Sequence, residues 1–391
     1  MMNYILFDDT QRQELFPFTL SRPVCEIRVG ILTLKQKWEY HLKTTCSYYT
    51  ESYLAEKYKI CGEMSDKSYI YINGSIFPDT DLLKAIQNLK VNTALVSSSK
   101  LLAVNSDKNP QTFNPNEHGL SIQQYAGNVS ILQKPWQIFG LNGSQIEADY
   151  DLITEGRQSE ALDASNTVIG KGRIFIEQGA VVQCSILNTS GGSIYIGKNA
   201  EVMEGCMIRG SFALGEHAVL KMGAKIYGPT TIGTESRVGG EVNNCVIFGY
   251  SNKAHDGFIG NSVIGEWCNL GADTNNSNLK NNYGKIKIWD IASENWQETG
   301  LMFCGLLMGD HSKAGINTMF NTGTVAGFCA NVFDGGFPPK YIPSFSWGGQ
   351  KNAPRFELSK AMEVAARVLE RRGITFSEGD KKIFEYPYNR A

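Results

Sequence analysis

The sequence predicts a parallel β-helix of hexapeptide-type repeats, preceded by an α/β sheet domain and followed by a C-terminal helix. Three observations carry that prediction. Ile196, Val202, Ile208, Leu214, Leu220, Ile226, Ile232 and Val238 are aliphatic and stand six residues apart, eight in succession. Glycine directly follows several aliphatic residues, at Gly197, Gly215 and Gly233, and again at Ile169-Gly170, Ile259-Gly260, Ile264-Gly265 and Leu270-Gly271. Glycine is absent from Met1 to Val29, yet recurs constantly between Gly156 and Gly349.

A helix would place its apolar residues three and four apart, so a period of six is not helical. Six residues make one short strand and one corner, with the aliphatic side chain pointing inward. Three such faces close a triangular coil, and coils stack as parallel strands about 4.8 Å apart. One coil cannot bury its own apolar face, so the stack folds as a solenoid. Glycine is expected to relieve the backbone at each corner.

The elements follow in order. Residues 1–150 read as an α/β domain: "YILF", "SYIYING" and "NTALVSS" suit buried strands, and "GILTLKQKWEYHL" and "TDLLKAIQNLK" carry helical spacing between them. Residues 151–165 are a polar linker, and residues 166–350 form the β-helix. Its repeat breaks at 272–305, which predicts a loop or hairpin projecting from a coil. Residues 354–391 form a helical cap, with Leu358, Met362, Ala365, Val368 and Leu369 on one stripe, covering the open end or a neighbouring subunit.

Composition narrows the function. Of 391 residues, 42% are hydrophobic and 19% charged, which is globular and not disordered. A net charge of −2 offers no electrostatic footprint for nucleic acid or an anionic membrane. Nine scattered cysteines without a C-x-x-C pair suit a reducing compartment. The opening "MMNYILFDDT" lacks a basic leader region, so a cytoplasmic protein is expected.

Within the repeat, "SNKAHDGFIGNSVIG" (251–265) sets Lys253, His255 and Asp256 among small and aliphatic residues. An imidazole can take a proton from a substrate amine or hydroxyl at neutral pH. Stacked rungs would let His255 share a cleft with Lys225, Glu241, Asn243, Asn278 and Lys280, and a lysine there would hold an anionic substrate oxygen. The competing reading is a histidine that merely decorates an outer turn.

The stretch 251–280 resembles the acetyltransferase half of the bifunctional enzymes that make UDP-N-acetylglucosamine. Lys253-Ala254-His255, Phe258, Ile259-Gly260, Ile264-Gly265, Asn269-Leu270-Gly271-Ala272, Thr274 and Asn278 carry the resemblance. It implies that His255 deprotonates a sugar amine, that Phe258, Asn269 and Asn278 contact substrate, and that acetyl-CoA binds between subunits of a trimer of left-handed β-helices. Asn243 stands where that family has a phosphate-binding lysine, with Lys225 the nearby candidate to replace it.

That family also begins with a sugar-1-phosphate nucleotidyltransferase domain. "YILFDD", "SRPVCEIRVGILTLKQKW" and "YIYINGSIFPDTDLLKAI" resemble its first strand, its following loop and helix, and its metal-bearing strand end. The resemblance implies a nucleoside triphosphate and Mg²⁺; Arg22 and Arg28 are the candidates to replace lost anion contacts, and Asp79, the nearest carboxylate, and Asp149 the candidates for the metal. The glycine-rich nucleotide loop is replaced by "DDTQRQELFPFTLSRP", and Ser75 stands where the family has its metal aspartate. Two further readings compete: a zinc carbonic anhydrase using His217, His255 and His311, and a non-catalytic trimeric or regulatory assembly module on a degenerate nucleotidyltransferase domain.

Overall fold

A computed structural model describes residues 3–60, 68–108, 114 and 119–390. The first domain is a six-stranded sheet in the order β2-β1-β3-β5-β4-β6. Its strands are β1 (Asn3–Phe7), β2 (Ser47–Tyr49), β3 (Tyr69–Asn73), β4 (Thr93–Ser97), β5 (Lys100–Ser106) and β6 (Ser121–Gln124). β2, β1 and β3 run parallel, and β5 is antiparallel to both β3 and β4. The apolar runs read from sequence are these central strands; every residue of β3 is buried.

Helix α1 (Leu34–Leu42) starts at a Thr33–Gln36 capping box, which satisfies two otherwise orphaned amides, and stops at Lys43 in the left-handed region. α2 (Thr80–Gln87) is capped by Asp79. α3 (Gln137–Thr154) leads out of the domain and ends four residues into the segment expected to be linker.

The repeat forms a solenoid of stacked parallel strands. The first face runs through residues 167–169, 186–188, 207–209, 225–227, 241–243 and 258–260. The second begins at Ile174–Ile176 and continues through 194–196 and 212–214 to 306–308 and 324–326. The third has nine strands, from Val181–Val182 to Trp347–Gly348. All eight hexad aliphatics lie in one continuous core, each at most 2% exposed.

The glycine step has a different cause from the one expected. Gly197, Gly215 and Gly233 are not among the left-handed residues. A Cβ there would strike the next rung's backbone: 2.8 Å from the Glu216 nitrogen, 2.6 Å from the Thr234 nitrogen and 1.5 Å from the Phe248 carbonyl oxygen, respectively. Close rung approach selects glycine, and the left-handed turn falls two residues later, at Asn199, His217 and Glu235. The same corner continues rung by rung through Tyr250, Trp267, His311, Cys329 and Phe345.

Two expectations about packing are corrected. The 272–305 insertion contains an antiparallel hairpin, Lys287–Asp290 with Asn295–Glu298. It does not simply project: Ile286 and Ile288 are buried with Leu15 and Phe18 of the first domain and with Leu307 and Val325 of the second face. The C-terminal segment holds two helices, α4 (Leu358–Glu370) and α5 (Glu378–Arg390). Ala361, Ala365 and Phe384 pack with Phe328 and Phe345 of the solenoid and with Phe16, Leu20 and Leu54 of the first domain. α4 therefore lies along a flank of the solenoid, and Arg372 just beyond it pairs with Glu235 at 2.7 Å. No helix among the described residues is long and apolar enough to cross a membrane.

Candidate functional sites on the solenoid and at the strand ends

The corner between the third and first faces carries His255. The aliphatic ladder inside the third face reads Val202, Leu220, Val238, and then Lys253 takes the next inward position, in register with Val238. Lys253 is 3% exposed. Its Nζ donates to the carbonyls of Gly239 at 2.9 Å and His255 at 2.6 Å, so a cation in an aliphatic column is satisfied by the corner it supports. Burial pushes its pKa down to about 8, against the opposing pull of Asp256 and Asp273. Gly239 and Gly240 occupy the corner one rung before, and His255 and Asp256 are exposed to solvent.

Lys225, Glu241 and Phe258 stand in register on three successive rungs of the first face. Tyr227, Asn243 and Gly260 form the neighbouring column, and the Tyr227 hydroxyl donates to Glu241. A Cβ on Gly260 would lie 2.5 Å from the Phe258 ring and 2.6 Å from the Asn278 amide nitrogen. Both side chains therefore converge above this glycine. Asn278 Nδ2 also donates to Asn261 Oδ1 at 2.8 Å. The structure thus assembles Lys225, Glu241, Asn243, Phe258 and Asn278 on one surface that begins three residues after His255.

Two predicted members lie elsewhere. Asn269 is on the third face, in register with Asn252 and Lys313, because its rung position precedes the inward Leu270. Lys280 sits in the insertion, donates to the Lys285 carbonyl at 2.6 Å, and its charge helps to lower the pKa of Lys340, after burial. The histidines of the carbonic anhydrase reading do not converge. His217 and His311 belong to the corner between the second and third faces, whereas His255 is on the next corner. His311 is stacked on Trp267 and packed against Phe328 and Phe384, and burial holds it well below its ordinary pKa.

In the first domain, polar groups gather at the ends of β1 and β3, where open parallel sheets bind their ligands. Asp9 accepts from Asn73 Nδ2 at 2.9 Å and from Lys100. Asp8 accepts from the Val24 amide at 2.9 Å and Thr50 at 2.6 Å, with Arg12 Nε at 3.3 Å. Burial raises the pKa of Asp8 even against Arg12. Sequence reasoning missed this pair of carboxylates. The signal was the "DD" immediately after "YILF".

The residues that sequence reasoning assigned there do other work. Arg22 is buried, pairs with Asp310 and, at 3.2 Å, with Glu266 of the solenoid, and lies over the Phe248 ring. It joins the first domain to the solenoid. Arg28 donates to the Ile31 carbonyl, and burial lowers its pKa. Asp79 Oδ1 accepts from the amides of Asp81 and Leu82 at the start of α2, both at 2.9 Å. Asp149 is buried against Lys37 and accepts from the amides of Ile31 and Leu32 at 2.8 and 3.0 Å. Asp79 keeps Oδ2 free, but Asp149 is buried with both oxygens bonded, so the pair does not fit Mg²⁺, which needs free hard oxygen ligands. Among the described residues, no group of three or more His, Cys, Asp or Glu side chains could hold a metal ion.

Residues 4–158 match the family model described as sugar nucleotidyl transferase. The bifunctional protein GlmU of Methanocaldococcus jannaschii is 32% identical over 87 residues, 22% of this chain and 21% of that protein. A bifunctional sugar-1-phosphate nucleotidylyltransferase/acetyltransferase of Sulfurisphaera tokodaii is 26% identical over 221 residues, 56% of this chain and 48% of that one. The chain thus spans about a fifth and about half of the lengths of these two relatives. An Arabidopsis UDP-N-acetylglucosamine acyltransferase structure aligns over 54% of this chain and 82% of its own, at 16% identity and a TM-score of 0.23. Residues 4–158 are thus similar to sugar nucleotidyl transferases, and part of the chain is similar to two bifunctional proteins at low identity.

Proposed function

We propose that the solenoid transfers an acetyl group from acetyl-CoA to the amine of an amino-sugar-1-phosphate such as glucosamine-1-phosphate, with His255 as general base. The observation that carries this reading is the corner itself. An exposed imidazole stands on a backbone held by Lys253, beside a face where Phe258, Asn278, Glu241 and Lys225 are gathered. In the reaction the sugar amine attacks the thioester carbonyl as His255 takes its proton. A C–N bond forms, the C–S bond breaks, and the proton returns to the departing thiolate. Lys225 offers a cation for the sugar phosphate.

The first face supports a seam between subunits of a homotrimer. Ile186 and Met207 are in register on it, 40% and 44% exposed, in line with Lys225. Acetyl-CoA would lie in that seam.

The test is thiol release. Purified protein given acetyl-CoA and glucosamine-1-phosphate should liberate CoA, and His255→Ala should abolish this without changing the oligomer. Wild-type protein that releases no thiol with any amino-sugar phosphate sinks the acyltransferase reading.

For the first domain, nucleotidyl transfer from a nucleoside triphosphate to a sugar-1-phosphate is the activity we assign to the β1 and β3 strand ends, around Asp8, Asp9, Asn73 and Lys100. A non-catalytic, regulatory first domain is the second reading. The commitment of Arg22, Arg28 and Asp149 to internal bonds favours it. Pyrophosphate release with a panel of sugar-1-phosphates separates the two.

A further inference from the structure

A polar cavity lies on the corner between the second and third faces, away from the corner that carries His255. It has a volume of about 230 Å³ and is lined by Arg237, Tyr250, Asn252, Trp267, Val368, Arg371 and Arg372. The solenoid supplies four of these residues, and the end of α4 with the turn after it supplies the other three.

The charges in this cavity do not balance. Three guanidiniums line it and no carboxylate does. Glu235, just outside, accepts from Arg372 at 2.7 Å and lies 3.5 Å from Arg237. Arg371 is exposed and makes no ion pair among the described residues. Of the other nearby carboxylates, Glu266 is paired with Arg22, and Glu216 is half-exposed beside His217. The pKa of Arg372 is lowered by burial and by the charges of Arg237 and Arg371, despite Glu235.

Every polar group in the lining can donate a hydrogen bond: three guanidiniums, a phenol, an indole and an amide. The three guanidiniums are rigid forks of donors with no acceptor of their own, which matches the oxygens of a phosphate. The volume falls below the roughly 300–1,000 Å³ of sites for drug-sized ligands. A phosphate with a small substituent fits, and a dinucleotide does not.

We propose that this cavity is an anion site for phosphate or a small phosphate ester, separate from both reaction centres. Bound there, the anion neutralises Arg371 and ties the end of α4 to the solenoid through Arg237. The competing account is that Arg371 and Arg372 only complement the negative end of α4, as cations at a helix C-terminus do. That account needs no ligand and no cavity, and leaves Arg237 out.

The experiment is calorimetric titration of the full chain with inorganic phosphate and, separately, with ribose-5-phosphate, at fixed ionic strength. Saturable binding is expected, weakened about tenfold or more by Arg371→Gln and by Arg237→Gln. Arg371→Gln should melt at the wild-type temperature without phosphate, because its side chain is exposed and unpaired, and should keep wild-type acetyl transfer. Tighter binding of ribose-5-phosphate than of inorganic phosphate identifies an ester as the natural occupant; equal binding identifies the free anion. Unchanged affinity in Arg371→Gln overturns the proposal, as does a lack of saturable binding with both probes.

Discussion

Arg22 of the first domain and Asp310 of the solenoid form a buried ion pair, with side chains 4% and 5% exposed. Ser21 donates to the same carboxylate at 2.7 Å, and the other Asp310 oxygen accepts from the Glu266 amide at 2.9 Å. One aspartate therefore gathers bonds from both domains. Removing its charge leaves a buried guanidinium with only the half-exposed Glu266 as partner. Asp310→Asn should cost about 3–5 kcal/mol, read as a lower urea midpoint. A loss within about 0.5 kcal/mol would mean that the pair does not join the domains.

Gly233→Ala should prevent folding or destabilise the chain severely. Its Cβ would overlap the Phe248 carbonyl oxygen at 1.5 Å, and that carbonyl belongs to the next rung. Rungs cannot separate locally without breaking the parallel ladder between Ile232 and Ile247. Soluble expression and thermal melting report the outcome; a variant that melts within a few degrees of wild type contradicts the close-approach account.

Gly260→Ala should act on the acceptor side of the proposed reaction. The new methyl displaces the Phe258 ring and the Asn278 amide, both side-chain atoms that can move. The fold should survive, while KM for the amino-sugar phosphate rises at least several-fold and KM for acetyl-CoA changes less. Equal KM values for the acceptor in both proteins would remove Phe258 and Asn278 from the substrate site.

Lys253 makes stability depend on pH in a defined direction. Its pKa is lowered from 10.5 to about 8 in the folded chain. Between those values the unfolded chain binds more protons, so the residue's contribution to stability rises with pH and is least favourable below pH 8. The slope is at most about 1.4 kcal/mol per pH unit. Lys253→Met should flatten the rise relative to wild type in urea melts between pH 8 and 10.5. Parallel stability curves for the two proteins would show that the ammonium is not held at a depressed pKa.

How far the sequence could be read depended on whether a property was local. The α/β strands were legible because unbroken apolar runs such as "YIYI" suit strands buried on both faces. Lys253 shows where pattern reading stops: it occupies an aliphatic position in the period, and only the corner carbonyls of Gly239 and His255 explain how a lysine stays there. Asp149 shows the same limit. An acidic residue in a polar stretch looks free until its partners, Lys37 and two amides more than a hundred residues away, come into view.

By itself the sequence determined the solenoid and the inward aliphatic residues of its regular rungs, because a six-residue period repeats one local geometry and every rung inherits it. Only the tertiary structure decided which charged groups stay available. Charges pair with whatever the fold brings within a few ångströms, and those neighbours come from distant parts of the chain. Arg22 went to a domain boundary and Asp79 to a helix cap, while Arg371 was left facing two other arginines across a cavity.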